Sequence, residues 1–200
     1  MTKTVLITGA SSGIGWATAE KLAALGHQSI LCGRREERLK ELQQSLPTPS
    51  HILCFDVSDR TAVFQAIKQI PEALQQIDLL INNAGNAHGL DVSHEANLDD
   101  WDAMIDGNVK GLLYVTKAVL PQMIERRSGQ IINVGSIAGK EAYPKGNVYC
   151  ASKAAVDSFT QGLRVDTNPY GLRIGAIHPG LVETEFSEVR FKGDHQKAES

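Results

Sequence analysis

Short runs of apolar residues, many of them β-branched, recur along the chain and alternate with longer amphipathic segments. The short runs are continuous rather than alternating, which is typical of strands that are covered on both faces. They predict six strands, at Thr4–Thr8, Gln28–Cys32, His51–Phe55, Asp78–Asn82, Gln130–Gly135 and Leu172–His178. The segments between them have helical spacing, at Gly13–Leu25, Glu36–Leu46, Arg60–Leu74, Trp101–Arg126 and Asn147–Asn168. The fourth helix is expected to break or bend near Gly107 or Gly111.

A strict alternation of strand and helix indicates right-handed crossovers, and hence a parallel sheet with helices on both faces. The one cluster of proline and serine, at residues 45–50, is short enough to be a loop, and no internal repeat is visible. The sequence therefore predicts a single doubly wound α/β domain over residues 1–200.

The composition excludes several classes of protein. The chain has 200 residues, of which 42% are hydrophobic and 22% charged, with a net charge of −3, so nothing favours disorder or binding to a nucleic acid backbone. No apolar run approaches the roughly 20 residues that cross a bilayer. The three cysteines form no C-x-x-C pair, and the six histidines have no metal-ligand spacing. We expect a cytoplasmic protein without a metal, a membrane or a nucleic acid partner.

A loop of glycines and small residues follows the first strand and opens the first helix. A tight strand-to-helix turn could also use glycine here, but this context favours a nucleotide loop, whose backbone approaches a pyrophosphate at a helix N-terminus. The spacing is G-x-x-x-G-x-G, and the candidate cofactor-binding residues are Gly9, Ser11, Ser12, Gly13 and Ile14.

Two arginines follow the second strand, where a carboxylate would hold the free ribose 2′-hydroxyl of NAD. Arg34 and Arg35 could simply begin a solvated charged helix, but cations at a helix N-terminus oppose its dipole. Because guanidinium groups bind phosphate oxygens in a bidentate manner, the pair favours the 2′-phosphate of NADP.

Tyr149 and Lys153 lie four residues apart and share one face of the last predicted helix. A phenol is a poor base near neutral pH, and an ammonium exposed to water at 4 Å would stabilise its anion by only about 1 kcal/mol. The pair can therefore work as acid and base only from a partly desolvated cleft beside a cofactor. Ser136 follows the fifth strand, at the edge of the sheet where such folds bind ligands, and its hydroxyl could hold a substrate oxygen.

Taken together, these motifs resemble the short-chain dehydrogenase/reductase family over residues 4 to about 190. The matching elements occur in the family's order: residues 8–15, Asp56-Val57, residues 82–85, Asn108, Ser136, the Tyr149-x-x-x-Lys153 pair and Pro179-Gly180. The resemblance implies a Rossmann fold, oxidoreductase activity on a CH–OH group and a small-molecule substrate.

The resemblance also implies roles for individual residues. Tyr149 would be the acid/base, Lys153 would assist it and bind the nicotinamide ribose, Ser136 would orient the substrate, and Asn108 would support a water next to Lys153. Asp56, Val57, Asn83, Ala84 and Gly85 would contact the adenosine side of the cofactor, and Pro179, Gly180, Val182 and Thr184 the nicotinamide end. For Asn82, a structural role is as well supported as a ligand contact.

Residues 185–194, with the Gly33-Arg34-Arg35 and Gly146–Tyr149 segments, resemble the branch of the family that oxidises serine, allo-threonine and other 3-hydroxy acids with NADP. Arg190 or Lys192 could then pair with the substrate carboxylate, or both could be solvated loop charges. A 3-oxoacyl, ketone or sugar substrate remains open, as does a nucleotide-binding scaffold or redox sensor without turnover.

Members of the family commonly form dimers or tetramers through the last two long helices, so a homo-oligomer is expected. They also run to about 250 residues. By that comparison, residues 180–200 would begin the lid over the substrate, and the final helix and strand would be missing.

Overall fold

The continuous β-branched runs form a single six-stranded sheet in the computed structural model, which describes residues 1–182 and 184–185. The strands are β1 (Thr4–Thr8), β2 (Gln28–Gly33), β3 (Ser50–Cys54), β4 (Leu79–Asn82), β5 (Gln130–Val134) and β6 (Arg173–Ile177). Their order in the sheet is β3-β2-β1-β4-β5-β6, and every neighbouring pair is parallel. The predicted doubly wound parallel sheet is confirmed.

The amphipathic segments form helices between these strands. They are α1 (Gly13–Ala24), α2 (Glu36–Ser45), α3 (Arg60–Lys68), α4 (Leu98–Ile105), α5 (Leu112–Glu125) and α6 (Asn147–Thr167). A stretch of π-helix at Asp106–Gly111 joins α4 to α5 and spans both glycines at which a bend was expected. A short 3₁₀ turn at Ile137–Gly139 follows β5.

Two helix boundaries differ from the prediction. The helix predicted to reach Leu74 ends at Lys68, and a separate 3₁₀ turn at Glu72–Leu74 follows Pro71. Proline disfavours helical backbone at the residue before it, so the helix cannot run through this point. The helix predicted to start at Trp101 begins at Leu98, because the side chain of Asn97 accepts a hydrogen bond from the Asp99 N–H (2.8 Å) and caps the first turn.

Side chains on both faces of the sheet are buried, as expected for a sheet between two layers of helices. On one face Leu6 of β1 packs into a cluster that includes Val115 of α5 and Leu163 of α6. On the other face Val5 and Ile7 pack into a cluster that includes residues of α1 and α2. Since alternate residues of a strand point to opposite faces, one strand supplies both cores.

Three further features of the described residues concern membrane spans, cysteines and metal ligands. No helix there is both long enough and apolar enough to cross a bilayer. Cys32 and Cys150 are buried, Cys54 is exposed, and all three are free thiols. In the part of the chain that the structure describes, no three side chains of the metal-ligating types come together.

Candidate active site

The predicted site residues lie together at the carboxyl edge of the sheet. The sheet order reverses between β1 and β4, which creates the crevice where open α/β sheets bind ligands. The glycine loop follows β1, the arginines follow β2, and Asp56 and Val57 follow β3. Residues 83–85 follow β4, Ser136 follows β5, and residues 179–182 and 184 follow β6.

The glycines of the first loop occupy positions that a side chain would fill. Gly9 and Gly13 have positive φ angles of 65° and 54°. A Cβ atom on Gly9 would lie 2.9 Å from the Cα of Ala84, and one on Gly15 would lie 2.3 Å from the carbonyl oxygen of Gly9. The loop can therefore close onto the start of α1 only with glycine at these positions.

The glycine loop is fastened to the end of β4 by two side chains. The hydroxyl oxygen of Thr8 accepts hydrogen bonds from the N–H groups of Asn83 (3.0 Å) and Ala84 (2.9 Å). The side-chain amide of Asn83 donates to the carbonyl oxygens of Thr8 (3.0 Å) and Gly9 (3.1 Å). The amide group of Asn83 therefore shapes the loop, a role that the sequence did not predict.

The two arginines after β2 have different surroundings. The Arg34 side chain is 67% exposed, and its Nη1 lies 3.4 Å from Oδ2 of Asp56. Arg35 is anchored to the glycine loop, because its Nη2 donates to the carbonyl oxygen of Ser11 (3.2 Å) and its Nε to the hydroxyl of the same residue (3.4 Å). Nη1 of Arg35 pairs with Glu185 at 2.8 Å.

Asp56 is held in the ionised form at the end of β3. Partial burial alone would raise the pKa of Asp56, but hydrogen bonds from the N–H and hydroxyl of Ser58, together with Arg34, outweigh it and lower that pKa. Val57 packs on the π-helical turn, since a Cβ atom on Gly111 would lie 2.7 Å from its Cγ2.

Glu185 bridges two guanidinium groups at the predicted 2′-phosphate position. Besides the pair with Arg35, its second oxygen lies 3.5 Å from Nη2 of Arg38. Arg38 also lies over the ring of Trp16, 4.9 Å from its centroid. The sequence did not predict this arrangement, in which the Glu185 carboxylate pairs with two guanidinium groups that could instead bind a phosphate.

Lys153 is almost completely buried at 6% exposure, although it is a cation. Its ammonium donates to the carbonyl oxygen of Val134 (3.0 Å) and lies 5.9 Å from the centroid of the Tyr149 ring. Burial lowers the pKa of Lys153 from 10.5 to about 8. The partly desolvated setting that the sequence argument required for this pair is present.

Asn108 is buried in the π-helical turn, and its side chain binds two elements of the site. Its oxygen accepts from the N–H of Asn86 (2.7 Å), and its amide donates to the Asn86 carbonyl (2.8 Å) and to the hydroxyl of Ser152 (3.0 Å). That hydroxyl donates in turn to the carbonyl oxygen of Tyr149 (2.7 Å). A Cβ atom on Gly85 would lie 3.0 Å from Oδ1 of Asn108 and 3.3 Å from the Lys153 ammonium, so glycine permits this approach.

Ser136 caps the 3₁₀ turn that packs on α6. Its hydroxyl accepts from the N–H of Ala138 (3.1 Å), and the residue is 9% exposed. A Cβ atom on Gly139 would lie 2.7 Å from the backbone carbonyl of Lys153. The turn therefore brings the end of β5 against the helix that carries Tyr149.

The segment after β6 borders both the serine turn and the glycine loop. The carbonyl oxygen of Pro179 accepts from the N–H of Ile137 (3.2 Å). A Cβ atom on Gly13 would lie 3.2 Å from the Thr184 side chain, which places residue 184 over the glycine loop. Leu181 and Val182 are exposed. Arg190 and Lys192, the candidates for the substrate carboxylate, lie outside the described residues.

For Asn82 the structure favours the structural role. Its side chain is buried and donates to the hydroxyl of Thr116 (2.9 Å) and to the side-chain oxygen of Asn133 (2.9 Å). Asn133 donates to the hydroxyl of Thr160 (2.8 Å). This chain of buried amides and hydroxyls links β4 and β5 to α5 and α6 beneath the site.

Comparisons with known proteins match this arrangement over nearly the whole chain. The family model described as short chain dehydrogenase matches residues 3–195. The NADP-dependent 3-hydroxy acid dehydrogenase of Escherichia coli is 48% identical over 196 residues, which cover 98% of this chain and 79% of that protein. The enzyme of the same name from Schizosaccharomyces pombe is 47% identical and is covered over 78% of its length.

A solved structure gives the same result in three dimensions. Serine dehydrogenase, in its closed form complexed with NADP⁺, superposes with a TM-score of 0.96 at 48% identity, over 98% of this chain and 79% of that one. The fold, the order of the motifs and the family model therefore agree. The chain belongs to the short-chain dehydrogenase family.

Proposed function

We propose that this protein is an NADP(H)-dependent oxidoreductase that interconverts an alcohol and a carbonyl, with C3 of a 3-hydroxy acid such as serine (a primary alcohol) or allo-threonine (a secondary alcohol) as the reacting carbon. The observation that carries the proposal is the buried ammonium of Lys153 beside the ring of Tyr149, at the sheet edge where the glycine loop ends. Burying a cation costs free energy. A scaffold or sensor without turnover would gain nothing from that cost.

The residues of the crevice fit a dinucleotide. The close contacts at Gly9 and Gly15 hold the glycine loop against the start of α1, and the N-terminus of that helix favours an anion. Gly9, Ser11, Ser12, Gly13 and Ile14 would hold the pyrophosphate. When bound, the nicotinamide supplies the hydride acceptor or donor.

The choice of NADP rests on the two arginines after β2. Arg35 is already oriented by its two hydrogen bonds to Ser11, so its remaining guanidinium N–H groups are directed at the crevice rim, where Glu185 now pairs with them. Arg34 adds a second cation beside Asp56. A 2′-phosphate would replace the Glu185 carboxylate on Arg35, and both named relatives use NADP.

The other cofactor contacts are those that the family resemblance implies. Asp56 and Val57 would border the adenine, and the backbone of Asn83, Ala84 and Gly85 would border the adenosine ribose. The segment after β6 would border the nicotinamide: Pro179, Gly180, Val182 and Thr184. Thr184 lies over Gly13, a residue of the loop that would hold the pyrophosphate, which supports this assignment.

Tyr149 would exchange the proton of the substrate hydroxyl. In alcohol oxidation its phenolate accepts that proton as the hydride leaves C3, and in carbonyl reduction the phenol returns it. The Lys153 ammonium lies 5.9 Å from the centre of the Tyr149 ring, so its positive charge favours the phenolate over the neutral phenol. Since the pKa of Lys153 is about 8, its side chain is mainly protonated at neutral pH and can stabilise the phenolate.

Ser136 and Asn108 complete the proposed catalytic set. The Ser136 hydroxyl would hold the substrate oxygen against Tyr149. Asn108 fixes α6 through Ser152 and lies against Gly85, next to the ammonium of Lys153, where it would support a water on the proton path. Arg190 is our candidate for the substrate carboxylate, and Arg190→Ala should raise KM for 3-hydroxy acids more than for neutral alcohols.

A panel of cofactors and substrates tests the proposal. We would measure kcat/KM of the purified full-length protein with NADP⁺ and NAD⁺ against serine, allo-threonine, 3-hydroxyisobutyrate, a sugar alcohol and a neutral secondary alcohol. The proposal expects the highest values for NADP⁺ with a 3-hydroxy acid. A higher kcat/KM with a neutral alcohol would reject 3-hydroxy acids as the substrate class. A higher kcat/KM with NAD⁺ would reject the proposed role of the arginines in binding the 2′-phosphate. Cofactor binding without any turnover would support the sensor instead.

We further propose that the protein works in the cytoplasm as a homodimer or homotetramer. Leu98 of α4 and Val165 of α6 are 67% and 74% exposed, and both lie on or beside the helices that the family resemblance assigns to an interface. The molar mass, measured by light scattering as the protein elutes from a size-exclusion column, tests this assembly. The mass of a monomer at all protein concentrations would exclude a homodimer or homotetramer.

A further inference from the structure

Asp157 joins two loops of the site to the catalytic helix. It lies on α6, four residues after Lys153 and eight after Tyr149, so the three side chains follow one side of the helix. Its side chain is 17% exposed. Oδ2 pairs with the ammonium of Lys140 (2.5 Å) and accepts from the Gln161 amide (3.1 Å), and Oδ1 lies 3.1 Å from Nε2 of His178.

The two main partners of Asp157 belong to the loops that border the reacting groups. Lys140 directly follows the 3₁₀ turn that Ser136 opens. His178 directly follows β6 and precedes Pro179, where the proposed nicotinamide segment begins. One carboxylate therefore holds the substrate-side turn with one oxygen and the cofactor-side segment with the other.

The two loops also contact each other at the same place. A Cβ atom on Gly135 would lie 2.9 Å from Cδ2 of His178, so the imidazole lies against the backbone just before Ser136. The Gly135 N–H donates to the carbonyl oxygen of Ile177 (2.8 Å), and the next bond along, from Ile137 to Pro179, extends the β5–β6 pairing beyond Ser136. The two loops therefore meet beside Ser136, while each keeps its own contact with Asp157.

We propose that Asp157 is a positioning residue that orients the Ser136 turn and the segment from His178 to Val182 around Tyr149, a proposal that rests on the function proposed above. The carboxylate is suited to this role because it is ionised at neutral pH. The hydrogen bond from Lys140, which outweighs partial burial, and the one from His178 keep the pKa of Asp157 below its ordinary value. Displacing reacting groups by about 1 Å can lower a rate by about a hundredfold.

The first test compares Asp157→Ala with Asp166→Ala, in which an exposed carboxylate of the same helix is removed. We expect Asp157→Ala to lower kcat for serine with NADP⁺ by about tenfold or more, and Asp166→Ala to leave it unchanged. Equal kcat values for the two variants, or a fall explained by loss of folded protein in thermal unfolding, would overturn the proposal.

A binding experiment separates this proposal from the proposed reaction. Asp157→Ala should weaken binding of NADP⁺, measured by calorimetry, but not binding of adenosine 2′,5′-bisphosphate, which has no nicotinamide half. If the parent protein binds both ligands but oxidises no 3-hydroxy acid, the proposed reaction is disproved. The effect of Asp157→Ala on the binding of the two ligands can still be compared in that case. Equal effects on both ligands would show general damage to the fold and overturn the positioning role.

Removing one arm at a time gives a second check if Asp157→Ala folds poorly. Lys140→Met should raise KM for the hydroxy acid with little change in NADP⁺ affinity, because it frees only the serine turn. His178→Leu should raise the Kd of NADP⁺ by a larger factor than it raises the KM for the hydroxy acid. The same effect from both variants would contradict the assignment of one loop to each oxygen.

Discussion

Because Lys153 is buried, its protonated side chain lowers the free energy of unfolding, and this destabilisation can be measured. The pKa of Lys153 falls from 10.5 to about 8 on burial, which corresponds to roughly 3 kcal/mol at 1.36 kcal/mol per unit. Because this pKa is lower in the folded than in the unfolded state, the full cost is present below about pH 8. It disappears as the pH rises from about 8 toward 10.5.

Lys153→Met keeps the aliphatic stem and removes the charge. It also leaves the Val134 carbonyl without its 3.0 Å partner, a loss of about 1 kcal/mol. The variant should therefore be about 2 kcal/mol more stable than the parent near pH 7, while it loses turnover. Its melting temperature should rise by about 4–8 °C.

Urea unfolding without cofactor, from about pH 7 to about pH 10, measures the difference. The stability advantage of Lys153→Met should shrink over that range as the parent loses its buried charge. Lys117→Met, which removes an exposed lysine of α5, should change stability by less than about 0.5 kcal/mol at every pH. A Lys153→Met protein that is less stable than the parent near pH 7, with no narrowing at higher pH, would refute the desolvation argument.

Three further substitutions test the cofactor crevice. Arg35→Ala should raise the Kd of NADP⁺ by about 10- to 100-fold, because it removes the charged hydrogen bonds that Arg35 would donate to the 2′-phosphate. The Kd of NAD⁺ should rise much less, since only the hydrogen bonds from Arg35 to Ser11 are lost there, and the exposed control Arg60→Ala should leave both Kd values nearly unchanged. An equal rise in Kd for the two cofactors would contradict this role of Arg35. Glu185→Gln should tighten NADP⁺ binding by up to about fivefold, since the competing ion pairs are surface pairs, and weaker binding by calorimetry would contradict the competition. Gly9→Ala should lower the melting temperature more than Gly26→Ala, because both have positive φ but a Cβ atom meets backbone at 2.9 Å only at Gly9; equal losses would show that the close approach is unimportant.

Local signals in the sequence were sufficient for the sheet and most of the helices. Each apolar run became a strand within two residues of its predicted ends, because a strand buried on both faces has an unbroken apolar pattern. The two misplaced helix boundaries came from single residues whose effect on the helix ends was not considered. Pro71 ended α3 early, and the cap at Asn97 started α4 early.

The contacts that adjust the site could not be predicted in the same way. Glu185 and Arg35 are 150 positions apart, and only the fold brings them together. Asp157 could have been suspected from its spacing after Lys153, but its partners Lys140 and His178 come from two other loops. The motifs therefore indicated which residues gather at the sheet edge, whereas the orientation of each side chain depends on tertiary hydrogen bonds.

The central claim, that Tyr149 exchanges the substrate proton in an NADP-dependent oxidation, is tested most directly by Tyr149→Phe. We would measure the rate of NADPH formation with the best 3-hydroxy acid, together with the Kd of NADP⁺. We expect kcat to fall by about 10²- to 10⁴-fold, while the NADP⁺ affinity and the thermal stability stay near those of the parent. A Tyr149→Phe protein that turns over at a rate close to that of the parent would contradict it.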